Sequence, residues 1–391
     1  MTRTIYLDNS ATTALCPEAI AAMRQVMEEI YGNPSSLHAV GLAAEKIVTA
    51  ARSDVLAALG VRGDGRQLIF CGSGSEANNL ALIGTYTAKR RRTGARVILT
   101  AGEHSSTEAV AEYLASLGAD VVRLSTKGGA LDMDEAAAAL TENTVLVSSM
   151  LVNNETGALY PVADLFRLAK AKCPDVICHC DAVQGFLKVP LSPRTLGADI
   201  VTVSAHKIHG PKGMAALYVS PEILKRRALV PVIHGGQQEN GLRAGTENVI
   251  GIAGFGAAAA VGAAHFAADR EALKTLGAYL LDRLAADAPL REIKVNRPAS
   301  AVPHIISLTL PDIKSETMLH FLSGKGICVS SGSACSSHAK KVSRALSAYG
   351  LSDRAADCTI RISLAHTNTA DELDALCTAL GEGLSTLIRI R

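Results

Sequence analysis

Short apolar runs alternate with longer amphipathic stretches through the first part of the chain. Seven runs of four to eight residues, rich in valine and isoleucine, have the length of β-strands. They span residues 67–71, 96–100, 121–124, 145–152, 176–180, 200–204 and 215–219. Many are spaced by about 20 to 30 residues, which leaves room for a crossover helix between parallel strands. We therefore expect an α/β fold with a mostly parallel sheet flanked by helices on both faces.

The pattern changes after residue 250. Residues 251–286 predict one or two long helices, and their most apolar window, 251–264, is expected to be a buried helix too short to cross a membrane. Three further apolar runs, at 304–310, 327–330 and 359–364, predict a second, smaller α/β unit. We divide the chain into an N-terminal arm (1–15) that packs with the small domain, a large domain (16–258) and a small C-terminal domain (259–391).

Composition narrows the class of protein. The chain has 391 residues, 48% apolar and 19% charged, and a formal net charge of +2, which is typical of a globular protein. With both signs of charge interspersed and no tryptophan, the sequence lacks the features of direct nucleic-acid binding. No apolar leader begins the sequence, and the nine cysteines are an odd number, so we expect reduced thiols and a cytoplasmic location.

Polar sequences follow the predicted strands directly, where ligands of open α/β sheets bind. Cys71-Gly-Ser-Gly-Ser75 leads into a helix whose N-terminus favours a phosphate, although such a turn is often only a helix cap. His104 follows the next strand and is suited to stacking on a cofactor or moving protons, or to a structural hydrogen bond. Asn153-Asn154 follows a third strand, in a turn that either binds ligand oxygens or is purely conformational.

Two further strand ends bear charged groups. Asp181 is suited to keeping a pyridinium nitrogen protonated. Cys178 and Cys180 precede it and, together with Cys173, are candidates for a metal site. Strand alternation sends His179 to the opposite face from Cys178 and Cys180, so we favour packed thiols over a metal site. Lys207 lies in a tight loop bracketed by glycine and proline, where it is either a surface lysine or a nucleophilic amine. Because five polar strand ends occur together, we favour the nucleophilic amine over a surface lysine at this position.

These sequences resemble those of fold-type I pyridoxal phosphate enzymes of the class V aminotransferase group, and more narrowly those of NifS/IscS-type cysteine desulfurases. The similarity covers nearly the whole chain. It includes the five strand ends above and the further motifs Tyr6-Leu-Asp-Asn-Ser-Ala-Thr-Thr13, Asn33-Pro-Ser-Ser36, Ser204-Ala-His-Lys207, Arg243-Ala-Gly-Thr246 and Ser330-Ser-Gly-Ser-Ala-Cys-Ser-Ser337.

The resemblance implies a role for each matching residue. Lys207 corresponds to the lysine that binds pyridoxal 5'-phosphate as a Schiff base, Asp181 to the partner of the pyridinium nitrogen, and His104 to the histidine that stacks on the ring. Gln184 corresponds to the donor to the phenolic oxygen. The phosphate site is implied at Gly74, Ser75, Ser204 and His206, with Thr246 reaching it from the other subunit of a homodimer. Asn154, or its neighbour Asn153, and Arg361 match the contacts to the substrate carboxylate.

Cys335 matches the family's sulfur acceptor. Its surroundings, Ser-Ser-Gly-Ser-Ala-Cys-Ser-Ser, are small and polar, as suits a thiol that receives sulfur and passes it on. Cys328 lies seven residues earlier in an apolar run, and we expect it to be a buried, inert thiol. Ala365-His366 stands where the family often has Gly-Arg, which puts the contacts around Arg361 in question.

The resemblance implies that L-cysteine is converted to L-alanine and a persulfide on Cys335. The persulfide would pass to an acceptor protein such as an iron–sulfur scaffold or a tRNA-thiolation carrier. His104 is a candidate for managing the thiol proton. Another class V aminotransferase or lyase without a persulfide step, and a non-catalytic sulfur carrier or scaffold, remain alternatives. The sequence leaves open the acceptor, the preference for cysteine over selenocysteine, the turnover rate and the base that activates Cys335.

Overall fold

The protein folds around two separate β-sheets that are joined by one long helix. The structure is a computed structural model and describes residues 4–89, 94–331 and 343–390. Within these residues the large sheet has seven strands in the order β2-β8-β7-β6-β5-β3-β4, and only β8 runs against the others. A four-stranded antiparallel sheet has the order β12-β13-β10-β9, and β1 pairs in parallel with β11 beside it.

The strands are numbered in chain order across both sheets. They are β1 (Ile5–Tyr6), β2 (Leu68–Cys71), β3 (Arg96–Thr100), β4 (Asp120–Leu124), β5 (Thr144–Met150), β6 (Ile177–Asp181), β7 (Ile200–Ser204), β8 (Ala215–Val219), β9 (Lys294–Asn296), β10 (Ile305–Thr309), β11 (Ile327–Cys328), β12 (Ser330–Ser331) and β13 (Thr359–Ser363).

The helices cover both faces of the large sheet and one side of the small one. They are α1 (Pro17–Glu29), α2 (Ala39–Ala58), α3 (Gly74–Lys89), α4 (Ser105–Ser116), α5 (Met133–Ala139), α6 (Val162–Lys172), α7 (Pro193–Leu196), α8 (Pro221–Arg226), α9 (Val249–Ala286), α10 (Ser315–Gly324), α11 (Arg344–Tyr349), α12 (Asp353–Asp357) and α13 (Ala370–Thr386).

The mostly parallel sheet predicted from the sequence is confirmed, and β3, β7 and β8 have the predicted bounds. One strand prediction is wrong. The run 327–330 does not form a single strand, because its first half pairs with β1 of the N-terminal segment and its second half pairs with β13. The three-residue strand β9 was not predicted, since it is too short to show a periodic pattern.

Helix α9 joins the two sheets. Its first residues, from Val249 to Ala259, are mostly buried against α1 and α2, which confirms a buried helix there. The expectation that this helix is too short to cross a membrane is wrong by length and composition, since α9 has 38 residues. Half of its most apolar window is nevertheless buried within the protein.

The apolar core has three parts. One lies on each face of the large sheet, with Phe166 and Phe255 buried on one face and Leu82 and Leu99 on the other. The third lies between the small sheet and helices α9, α10 and α13, and it includes Leu7 from the N-terminal segment. The segment after β1 is therefore fixed by the core of the small sheet before it continues toward the edge of the large one.

Candidate active site

The turns that follow β2, β3, β5, β6 and β7 meet at one edge of the large sheet, because these strands run in parallel. Each turn contains at least one residue that the sequence marked as a site candidate. The structure thus brings Gly74, His104, Asn154, Asp181 and Lys207 to a common edge. Residues 8–14 from the N-terminal segment cross the same edge.

Lys207 lies at the end of a short 3₁₀ turn, Ala205–Lys207, directly after β7. Its Nζ atom donates to the backbone carbonyl oxygens of Ser10, at 2.5 Å, and Ala11, at 2.8 Å. The tight loop predicted from glycine and proline is present, and Gly210 allows it, because a Cβ there would lie 2.9 Å from the Ala205 side chain. The amine is therefore held at the sheet edge by backbone acceptors.

Asp181 ends β6 and is buried. One carboxylate oxygen, Oδ2, accepts from Asn78 Nδ2 at 2.8 Å, and Oδ1 accepts from the backbone N–H of Val183 at 3.0 Å. Asn78 also donates to Ser106 Oγ at 2.9 Å, while its own Oδ1 is buried with no partner among the described residues. No role was predicted for Asn78, whose signal in the sequence is its place in the helix that follows the Gly/Ser turn.

His104 is the N-cap residue of α4, so part of its role is structural. Its Nδ1 atom accepts from the Ser106 backbone N–H at 3.2 Å and lies 2.8 Å from Ser106 Oγ. An accepting Nδ1 leaves the ring proton on Nε2. Burial lowers the pKa of His104, the carboxylate of Asp181 opposes this change, and the Lys207 ammonium adds to it. His104 is therefore a neutral imidazole at neutral pH.

A cavity of about 310 Å³ opens beside the start of α3. It is lined by Ser73, Ser204, His206 and Lys212, among others. Burial and the nearby charges of Lys207 and Lys212 lower the pKa of His206 to about 4, so its ring is neutral at neutral pH. Ser73 Oγ also accepts from the Glu76 backbone N–H at 3.1 Å, which makes it a helix cap as well as a lining residue.

Glycine and serine positions in the predicted phosphate site differ in exposure. Gly74 is the first residue of α3, Ser75 is exposed on its first turn, and Ser204 is buried at the end of β7. Lys212 was not predicted as a site residue, although it lies within the Gly/Pro-bracketed loop. The neutral ring of His206, the cationic Lys212, the hydroxyls and the N-terminus of α3 make this cavity suitable for a phosphate.

Gln184 and Lys207 donate hydrogen bonds to the same backbone carbonyl oxygen. The Nε2 atom of Gln184 donates to the same Ser10 carbonyl oxygen, at 2.9 Å, that accepts from Lys207. Its Oε1 atom is buried and has no hydrogen-bond partner among the described residues. The side chain is thus placed beside the amine, with one unsatisfied polar atom in the site.

Arg361, on β13, connects the small sheet to the site. Its guanidinium donates to the Asn154 backbone carbonyl oxygen at 2.8 Å and to Asp8 Oδ1 at 2.7 Å. Its side chain is 7% exposed and that of Asp8 is 19% exposed, so this is a mostly buried ion pair. The sequence assigned no role to Asp8, although it lies within the motif that begins at Tyr6.

The two asparagines after β5 differ in what they bind. Asn153 is buried, and its amide is used within the protein: Oδ1 accepts from the backbone of Glu155 and Thr156, and Nδ2 donates to the Gly102 carbonyl oxygen. Asn154 is half-buried beside Arg361. The Asn153 amide therefore shapes the turn, and the Asn154 backbone carbonyl contacts Arg361.

Thr246 is exposed in the segment before α9. This segment is tied to the phosphate-site helix by Arg243, whose Nε donates to Glu76 Oε1 at 2.8 Å. Glu76 in turn accepts from the Gly72 backbone N–H at 2.9 Å. Arg243, three residues before Thr246, therefore ties this segment to the start of α3.

Cys335 lies outside the residues that the structure describes. The residues on either side of that stretch are described, and both contact the site. Ser330 pairs with Arg361 in the small sheet, and Ser343 Oγ donates to Glu155 Oε2 at 2.5 Å, next to Asn154. Cys328 is partly exposed in β11, so the expectation of a buried thiol there is wrong. The short strand leaves its side chain at the border of the small sheet's core.

The remaining cysteine cluster packs as an apolar core. Cys173, Cys178 and Cys180 are all buried in the same core beneath the large sheet. His179 points to the other face, where its ring nitrogens lie 2.8 Å from Ser148 Oγ and 3.0 Å from Thr202 Oγ1. Burial raises the pKa of the Cys178 and Cys180 thiols, so they stay protonated and unreactive.

A lysine amine, a buried carboxylate, a neutral histidine and an anion cavity at one edge of a parallel sheet define the class of fold-type I pyridoxal phosphate enzymes. Comparison with known proteins narrows this class. The family model "Aminotransferase class-V" matches residues 5–376. A "Cysteine desulfurase" of Trichormus azollae is 38% identical over 380 residues, which cover 97% of this chain and 92% of that protein.

Solved structures of similar fold and sequence support the same family. A "NIFS-LIKE PROTEIN" superposes with a TM-score of 0.89 at 33% identity, covering 98% of this chain and 100% of the other. A structure described as "SspA in complex with cysteine" has a TM-score of 0.80 at 30% identity, covering 94% and 100%. The chain belongs to the class V aminotransferase family, in the group of NifS/IscS-type cysteine desulfurases.

Proposed function

We propose that this chain is a pyridoxal phosphate-dependent cysteine desulfurase that converts L-cysteine to L-alanine and leaves the sulfur as a persulfide on Cys335. The observation that supports this most directly is that Lys207, Asp181, His104 and a cavity suited to a phosphate occur together at one edge of the large sheet. The relatives named above add support, since one is called a cysteine desulfurase and another was solved with cysteine.

The described residues fit the cofactor. Buried polar atoms without partners, Asn78 Oδ1 and Gln184 Oε1, lie around the edge where a heteroaromatic ring would bind. Asp181 would hold the ring nitrogen, His104 would stack on the ring, and Gln184 would bind the phenolic oxygen. Gly74, Ser75, Ser204 and His206 would hold the phosphate. When bound, pyridoxal phosphate supplies an electron sink that weakens the Cα–H bond of an amino acid.

The residues of this chain have separate roles in the reaction. Arg361 binds the substrate carboxylate through the donors of its guanidinium, and the Asn154 side chain adds a contact. Lys207, once displaced as a free amine, takes the Cα proton and later returns it. His104, a neutral imidazole, is able to accept the thiol proton of the substrate or of Cys335.

The sulfur step is a nucleophilic displacement at sulfur. The Cys335 thiolate attacks the sulfur of L-cysteine, a new S–S bond forms, and the Cβ–S bond of the substrate breaks. The thiol proton and the electrons of the broken bond end on the product, so L-cysteine and the Cys335 thiol give L-alanine and the Cys335 persulfide. An acceptor protein, such as an iron–sulfur scaffold or a thiolation carrier, would then take the persulfide sulfur.

The position of the flanking residues makes this assignment geometrically reasonable. Cys335 follows Ser331 by four residues, and a fully extended chain of four residues spans at most about 14 Å. Ser331 pairs in register with Ile360, next to Arg361. This upper limit is compatible with a thiol that reaches the substrate next to Arg361.

The decisive experiment is incubation of the purified, cofactor-loaded protein with L-cysteine. We expect alanine and persulfide in equal amounts during the first turnover, and mass spectrometry should place the persulfide on Cys335. Cys335→Ser should keep the visible absorbance of the bound cofactor and lose both products, while Cys328→Ser should behave as the wild type. Normal alanine formation by Cys335→Ser would indicate a lyase, and transamination products would indicate an aminotransferase.

The proposal includes a homodimer in which Thr246 reaches the phosphate site of the partner subunit. Mixed dimers test it. One subunit would contain both Lys207→Ala and Thr246→Ala, and the other would be wild type. If Thr246 acts across the interface, the wild-type subunit binds its cofactor more weakly than in a mixed dimer with Lys207→Ala alone. Equal affinity in the two mixed dimers would contradict the shared site.

A further inference from the structure

Ser343 connects α11 to the active-site edge of the large sheet. Its Oγ atom accepts from the Leu346 backbone N–H at 3.2 Å, which caps the helix. The same hydroxyl donates to Glu155 Oε2 at 2.5 Å. A single side chain thus starts α11 and binds it to the turn after β5.

Helix α11 is fixed from two other directions. Arg344 pairs with Glu112 at 2.6 Å and approaches Glu108 at 3.5 Å, both on α4. A Cβ placed on Gly102 would lie 3.1 Å from Ala345 Cα, so the helix packs closely on the turn before His104. These contacts hold the helix on the large sheet. The Ser343–Glu155 hydrogen bond instead connects the helix to the turn whose Asn154 carbonyl contacts Arg361.

Glu155 lies between α11 and the substrate-binding residues. It directly follows Asn154, whose carbonyl oxygen accepts from Arg361, and its own backbone N–H donates to Asn153 Oδ1 at 3.0 Å. The groups that face its carboxyl are Ser343, at the start of α11, and Arg361, on β13. Burial raises its pKa to about 7, and the Ser343 bond and the Arg361 charge oppose this change.

Ser343 also marks the end of the stretch that contains Cys335. Ser343 follows Cys335 by eight positions, and Cys335 follows Ser331 by four. The start of this stretch is bound to the small sheet beside Arg361, and its end is bound to the large sheet at Glu155. The described residues on both sides of this stretch are therefore bound next to Arg361 and Asn154.

We propose that Glu155 is a positioning residue for the sulfur step: through Ser343 it holds the C-terminal end of the Cys335 stretch against the turn that contains Asn154. This inference rests on the proposed function. It assigns Glu155 no contact with the reacting atoms. Because both the carboxylate and the protonated carboxyl accept from a hydroxyl, glutamine is a close substitute, whereas alanine removes the acceptor.

Glu155→Ala, Glu155→Gln and the control Glu112→Gln separate this role from a general structural one. Glu112 pairs with the same helix but lies on the exposed side. We expect Glu155→Ala to slow single-turnover persulfide formation on Cys335 by about 10-fold or more, with a change in KM for L-cysteine of less than about 3-fold. Glu155→Gln and Glu112→Gln should stay within about 3-fold of the wild-type rate. All three should keep the cofactor absorbance.

Hydrogen exchange of residues 343–349 in the cofactor-loaded protein provides a test that needs no turnover. Glu155→Ala should speed the exchange of these amides, and Glu155→Gln should not. Unchanged exchange in Glu155→Ala, or an unchanged persulfide rate, overturns the inference. A rise in KM as large as the fall in rate also overturns it, since Glu155 would then act on substrate binding. Absence of persulfide in the wild type would instead contradict the proposed function, while the exchange result would still decide whether Glu155 fixes α11.

Discussion

The two halves of the active site are held in different ways. On the large sheet, His104 is bound by Ser106 and Asp181 by Val183, each two positions away. Distant contacts add to these local ones there, since Asp181 also accepts from Asn78 and Lys207 donates to Ser10. On the small-sheet side, Arg361 is bound by Asp8, 353 positions away in sequence. The first half is therefore set partly by local turns, whereas the ion pair of the second forms only after distant parts of the chain have met.

This difference predicts different consequences of mutation. A change at Lys207 should remove chemistry while leaving the turns of His104 and Asp181 in place, because those turns have hydrogen bonds of their own. A change at Arg361 or Asp8 should alter substrate binding, because their contact aligns the N-terminal segment with the small sheet.

The largest effect is expected for Lys207→Ala, on the large-sheet side. Without the amine, the cofactor has no covalent attachment and the Cα proton has no base, so alanine formation should fall by roughly 1,000-fold or more. The visible absorbance of the lysine-bound cofactor should be lost, and the thermal unfolding midpoint of the protein without cofactor should change little. Retention of that absorbance would mean that another lysine binds the cofactor.

Arg361→Lys tests the small-sheet side. A lysine keeps the charge but loses the fork that contacts Asn154 and the substrate carboxylate. We expect KM for L-cysteine to rise by about 10- to 100-fold, since a charge-assisted hydrogen bond contributes about 1.5–3 kcal/mol. Steady-state kinetics with the cofactor saturating measure this. A fall in kcat with unchanged KM would place Arg361 in the chemistry rather than in binding.

Asp8→Asn should have a smaller effect in the same direction. The guanidinium of Arg361 loses its charged partner but keeps the Asn154 carbonyl oxygen, so its orientation is loosened and not lost. A rise in KM of about 5-fold is expected, because the asparagine keeps an oxygen that accepts a hydrogen bond from the guanidinium and only the charge of the partner is lost. The double variant with Arg361→Lys should show less than additive effects, and full additivity would show that the two side chains act separately.

Glu103→Gln tests the large-sheet half through stability. Burial raises the pKa of Glu103 to about 8, the hydrogen bond from Thr100 opposes this change, and the charge of Asp181 adds to it. A carboxyl with a raised folded-state pKa contributes stability below its unfolded pKa and loses it as the pH rises toward the folded value. The wild type should therefore lose stability relative to Glu103→Gln between about pH 5 and 8, by at most about 1.4 kcal/mol per pH unit. Denaturant unfolding of both proteins at several pH values measures this, and a parallel pH dependence would contradict it.

The same division explains how much the sequence could predict. Strand length and spacing predicted the parallel sheet, and the rule that ligands bind beyond strand ends directed attention to His104, Asp181 and Lys207. Asn78, Asp8 and Glu155 received no role, although Asp8 lies in a quoted motif and the other two come shortly after quoted turns, because their importance depends on a partner from another part of the chain. The strand predicted at 327–330 divides between β1 and β13 for the same reason, since a local pattern does not specify which strand it pairs with.

The segment after β1 also determines the order in which the site is built during synthesis. Its backbone pairs with β13, where the Ser363 N–H donates to the Leu7 carbonyl oxygen at 2.8 Å, and its Ser10 carbonyl then accepts from Lys207. Ribosomes add residues at about 5–20 per second and release the N-terminal part first. All strands of the large sheet are made before Ser363, whose hydroxyl accepts from the Ser10 N–H at 2.9 Å. The nascent chain thus contains its nucleophilic amine before it contains one of the residues that fix the acceptor of that amine.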